Sequence, residues 1–116
     1  MSQHLPEADW KLFRKVRAVA LDRFCERTLT EIVTTASTDP RAAHDRYVAI
    51  YDLLQTRDKE LARAFDDLKR SQAIPQLAVM LSLGLVTKAE LGQFGAETQA
   101  AVGYITEGTS KRDASA

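Results

Sequence analysis

The sequence predicts an all-α fold: a helical bundle built on a long antiparallel αα-hairpin, with a shorter C-terminal helical pair. Three observations carry this reading. Five Gly and three Pro are spread over 116 residues, leaving few breaks. Two stretches of roughly 30 residues each repeat apolar side chains at helical spacing. Between them, Thr34-Thr35-Ala36-Ser37-Thr38-Asp39-Pro40 is a run of small, β-branched and turn-forming residues.

The first helix is predicted from about Pro6 to Thr35. Proline suits a first helical turn, where its missing N–H costs nothing. Glu7 and Asp9 then complement the positive end of the helix dipole. Trp10, Phe13, Ala20, Leu21, Phe24, Thr28 and Ile32 form one apolar face. Leu12, Val16 and Val19 widen that surface to a second side, which makes them the candidate interface with a partner.

Thr38 or Asp39 is placed to cap the second helix, with Pro40 at its first position. That helix reads on through Tyr47, Ile50, Tyr51, Leu54, Leu61, Phe65 and Leu68, with no Gly or Pro from Arg41 to Ser71. Neither stripe can be buried by one helix alone, so the two pack as an αα-hairpin.

The C-terminal third changes character. Ile74-Pro75 kinks or restarts the helix, because proline disfavours helical geometry in the residue before it. Leu77, Ala78, Leu81 and Leu85 carry the next stripe. Leu83-Gly84-Leu85 has the form of a helix end with a left-handed glycine. Thr87-Lys88-Ala89-Glu90 matches a capping box. Leu91, Phe94, Val102, Tyr104 and Ile105 continue in a short helix or two. At Gly92, Gly95 and Gly103 either backbones approach closely or the segment breaks near Gly95. The expected organisation is a single helical domain over 1–105 and a disordered tail over 106–116, which is small, polar and without apolar period.

Two charges interrupt the apolar faces. Arg17 falls between Trp10 and Phe24, and Asp58 between Leu54 and Phe65. With the turn centred on Thr38, an antiparallel hairpin puts them at one level, with Phe24 near Tyr51 and Thr28 near Tyr47. An unpaired charge there is costly. The reading is a structural ion pair, Arg17 with Asp58, that fixes register. The alternatives are that Arg17 meets an anionic ligand, or that the charges snorkel to solvent.

Lys plus Arg equals Asp plus Glu at 16 each. That balance argues against general nucleic-acid binding, which needs an excess of basic residues. Lys11, Arg14, Lys15 and Arg17 scatter around the first helix and are flanked by acids, as on a solvated helix. Cys25 is the only cysteine, so no intramolecular disulfide forms, as fits a reducing compartment. The N-terminus has no secretory pattern. The most apolar stretch, Ile74 to Val86, is shorter than the roughly 20 residues of a membrane span. A cytoplasmic protein is expected.

No nucleophile is paired with a base, and no phosphate-binding loop is present. His4 and His44 do not fall in the Glu-x-x-His pattern of a bundle metal site. No enzyme activity, metal or cofactor is expected.

Three segments carry a resemblance: His44-Asp45-Arg46-Tyr47, then Ala64-Phe65-Asp66-Asp67-Leu68-Lys69-Arg70-Ser71, then Gly84-Leu85-Val86-Thr87 leading to Glu90-Leu91 and Phe94. Together they resemble a group of small, all-helical, uncharacterised bacterial proteins. The resemblance spans most of the chain outside its termini and implies an all-helical fold. It brings no activity and no site residues.

The functional expectation is a non-enzymatic interaction or assembly module. Its partner is itself, as a homodimer, or another protein; no nucleic acid and no membrane are expected. The alternative is a small-molecule-binding bundle, with a cavity between the two long helices lined by Cys25, Tyr47, Tyr51 and Arg17.

Overall fold

A computed structural model describes residues 5–115, with side chains described through Gly108. The described residues hold five α-helices and no strand: α1 (Glu7–Ser37), α2 (Ala43–Phe65), α3 (Ala73–Ser82), α4 (Lys88–Leu91) and α5 (Ala96–Ser115). A 3₁₀ turn, Arg70–Gln72, leads into α3. α1 and α2 pack on each other as the predicted hairpin, and α3 lies against α1, α2 and α5. The molecule is elongated, 53 × 34 × 24 Å.

The core sits at one end of the hairpin, its root. Phe13, Val16, Ala20 and Phe24 of α1 meet Ala64 and Phe65 of α2. Ala73, Ile74, Leu77, Ala78 and Met80 of α3, with Leu85, Val86, Phe94 and Val102, complete the cluster. Phe24 meets Phe65 edge-on, with ring centroids 6.2 Å apart, a favoured aromatic geometry.

Local signals set several boundaries. Gly84 takes φ +72°. Its N–H donates to the Leu81 carbonyl, and Leu85 N–H donates to that of Met80. These two bonds make a Schellman end, closed by the buried pair Met80 and Leu85. Thr87 and Glu90 form the predicted capping box. Pro75 is in the first turn of α3, where no N–H is required.

Other boundaries differ from the expectation. The turn runs from Thr38 to Ala42, and α2 starts at Ala43 with no side-chain cap. Asp39 instead pairs with Arg41 inside that turn. α2 ends at Phe65, six positions before Ser71, although no Gly or Pro interrupts it. Asp66 is extended and Asp67 has φ +60°, the left-handed region. The break therefore lies upstream of Pro75. A second break at Gly95 separates α4 from α5. Helical backbone continues to Ser115, through the segment where the sequence predicts a disordered tail from 106.

Candidate functional site

Arginines secure the ends of three helices. The last carbonyls of a helix lack partners inside it, and a cation there also complements the dipole. Arg46 donates to Ala36 at the end of α1. Arg17 donates to the Phe65 carbonyl at the end of α2, at 2.6 Å. Arg27 donates to the Leu83 and Gly84 carbonyls beyond α3, and Arg23 to that of Leu85. Each donor comes from a different helix than the end it caps, so these bonds tie elements together.

Arg17 is thus a cap, with its guanidinium 5.7 Å from the Phe65 ring centroid. It forms no ion pair with Asp58, which is exposed. The expected register does not hold. Arg17 reaches the carbonyl of Phe65, seven positions after Asp58, and Phe24 meets Phe65 rather than Tyr51. The turn runs from Thr38 to Ala42 instead of being centred on Thr38. The ion pair that does cross the hairpin is Arg57 with Glu31, bidentate at 3.0 and 2.9 Å. Arg57 also holds Glu60. Its guanidinium pulls the Glu31 carboxyl below the usual range.

Asp9 does more than complement the dipole of α1. It is buried and reaches the start of α5. Gly95 N–H donates to both its oxygens, and the Thr98 hydroxyl donates at 2.7 Å. A Cβ at Gly95 would lie 3.2 Å from Asp9 Oδ2. Close approach therefore explains the glycine here, whereas Gly103 has open space around it.

The second feature is the far half of the hairpin, its arm. No residue from Leu29 to Arg63 is buried. α2 buries only Ala64 and Phe65, in its last turn. Yet this half carries large apolar side chains in the open: Tyr47 is 71% exposed, Tyr51 56%, Leu29 55% and Leu54 41%. α3 approaches one face of the hairpin. Arg27, Glu31, Arg57, Glu60 and Leu83 line a cleft of about 350 Å³ there. At 100° per residue, Cys25, Leu29, Ile32 and Ala36 lie on the opposite side of α1. Tyr47, Tyr51 and Leu54 lie along the matching flank of α2. The two stripes adjoin on one face, which also carries the exposed Asp22 and Asp58, and no third layer lies over it among the described residues.

The predicted site residues redistribute accordingly. Val16 is a core residue at 5% exposure, Leu12 is half-buried, and only Val19 of the three is open. They form no joint surface, because Val16 points at the core of the root. Cys25, Tyr47 and Tyr51 line no cavity: all three are exposed. The helical pattern ranked them as inward, but the described residues supply no layer to cover them. Arg17 is separated from them by its cap on Phe65.

Among the described residues, no group of three His, Cys, Asp or Glu side chains gathers to hold a metal ion. No helix among them is long and apolar enough to cross a membrane. No protein-family model, curated protein or solved structure matches the chain.

Proposed function

We propose that this chain is a non-enzymatic interaction module that docks through the arm of its α1–α2 hairpin. The observation that carries the reading is the asymmetry of burial. The root has a complete core, whereas the arm presents Leu29, Tyr47, Tyr51 and Leu54 to solvent on one face. A two-helix layer buries little, and helices draw most of their stability from tertiary packing of an apolar face. Contiguous apolar surface of this kind marks a contact site. Its composition fits the role: two tyrosines supply large area at low entropic cost.

The arginines named above are taken up by the fold. Arg17, Arg23, Arg27, Arg46 and Arg57 are all engaged in caps or ion pairs. They are committed to the architecture.

The test is site-specific photo-crosslinking in the source cell. A photoreactive residue replaces Tyr51 in one strain and the exposed Gln93, off the arm, in another. The reading predicts discrete adducts from position 51 and none from position 93. Absence of adducts from position 51, or equal labelling from both positions, overturns it.

A further inference from the structure

α3 shows how a short helix seats on this hairpin. Its 10 residues, about 15 Å of helix, lie against both α1 and α2 on one side. The open face on the other side has the same form along the arm. Ile32 and Ile50 are half-buried and floor the seam between the two helices, with Leu61 at its root end. Leu29 of α1 and Tyr47 and Leu54 of α2 are exposed and stand as its walls. From Cys25 to Ala36 the seam runs about 17 Å, roughly three turns of helix. A third helix laid there touches both walls.

The charges on this face are of one sign. Asp22 flanks the seam on α1 and Asp58 on α2, both exposed and near the root end. Neither carboxylate has an ion-pair partner among the described residues. No Lys or Arg shares the face along the arm. Arg27 and Arg57 line the cleft on the α3 side, and Arg46 caps Ala36 at the turn. At 100° per residue, Lys59 and Arg63 project from the back of α2. Lys15 is about 10 Å beyond Asp22 along α1, more than a Debye length at physiological salt. Arg14 sits over Trp10. Two unpaired carboxylates on an apolar seam oppose an acidic partner and attract a basic one.

We propose that the arm face seats a three-turn amphipathic helix of another protein, with Lys or Arg flanking its apolar stripe at one end. The proposal rests on the interaction reading above and names the chemistry of the partner. Apolar side chains at i, i+3, i+4 and i+7 enter the seam, and the basic ones reach Asp22 and Asp58. Both acids lie at the root end, so they also set direction: the basic end of the partner helix points toward the root.

Selection of displayed three-turn helical peptides on the purified full chain tests this, followed by fluorescence anisotropy with the enriched peptides. The expected sequences carry the apolar stripe flanked by Lys or Arg at one end. Asp22→Lys and Asp58→Lys are each expected to weaken their binding about tenfold. Asp52→Lys makes the same charge change on the back of α2 and is expected to stay within about twofold. Helical circular dichroism checks folding of each variant. Peptides without a basic excess, or binding indifferent to both Asp22→Lys and Asp58→Lys, overturn the proposal. So does a failure to enrich any peptide. The photo-crosslinks from position 51 separate the two readings. With adducts to another protein, those failures remove the basic helix alone; without adducts they remove the interaction reading too. An adduct of twice the chain's mass puts a second copy on the face and also overturns the proposal.

Discussion

Asp9 and Gly95 are joined across 86 residues of sequence: one backbone N–H donates to both oxygens of one carboxylate, at 3.2 and 3.1 Å. The first turn of α1 thereby caps the start of α5. A carboxylate at a helix N-terminus satisfies orphan N–H groups and meets the positive end of the dipole.

Removing that carboxylate leaves the Gly95 N–H and the Thr98 hydroxyl unpaired in a buried place. Asp9→Ala is expected to cost about 2 kcal/mol, the upper range for losing a cap. Gly95→Ala pushes a methyl against Asp9 and costs about 1 kcal/mol. The two changes should not add, because each breaks the same contact. Urea unfolding of the single and double variants measures this.

Arg17 and Asp58 should behave as strangers. Arg17→Met removes the cap on Phe65 and its guanidinium contact, for a loss of about 1–2 kcal/mol. Asp58→Leu changes an exposed position and stays within about 0.5 kcal/mol. In the double variant the losses should add within about 0.5 kcal/mol. A measured coupling above that in a denaturant cycle revives an ion pair between them.

Asp67 holds φ +60°, a conformation that costs an L-residue roughly 1 kcal/mol and a glycine little. Asp67→Gly is expected to raise stability by about 0.5–1 kcal/mol, since its weak ion pair with Lys69 is exposed. Thermal unfolding of this one variant is sufficient. A lower melting temperature contradicts the strain account.

Glu90 has the clearest pH signature. Arg23 binds both its oxygens, and Thr87 N–H donates to one, holding its carboxyl well below the usual range, at about 2. A lowered folded-state value means that the ionised form favours the fold. Its contribution is complete above the ordinary carboxylate range and is lost as pH falls toward about 2. Glu90→Gln should be less stable than the parent at neutral pH and draw level with it in acid. Melting curves from neutral to low pH check this; a constant gap at every pH speaks against it.

The sequence made those parts of the fold legible whose signals are local. Gly84 ends a helix because only its own φ decides it, and Thr87 with Glu90 caps one because three residues suffice. The hairpin followed from two stripes that one helix cannot bury. The end of α2 was not legible, since no breaker marks it. Arg17 of α1 captures the Phe65 carbonyl and Gln76 of α3 that of Asp66. The register failed because no local signal fixes how far the two stripes slide along each other: Phe24 meets Phe65 where the sequence placed Tyr51. Periodicity reported that Tyr47, Tyr51 and Leu54 share a face. It carried no information on whether this chain supplies the cover.

The most direct measurement is residue-resolved amide hydrogen exchange on the purified chain in dilute solution. It compares the arm, Leu29 to Arg63, with the root helices around Phe13–Phe24 and Ala73–Ser82. An arm without a core opens more easily than the root, whose protection approaches the global stability. The account predicts fast arm exchange when dilute, slowing when a partner covers the face, with root exchange unchanged. Arm amides as protected as the root in the dilute chain would contradict it, because such an arm needs no partner.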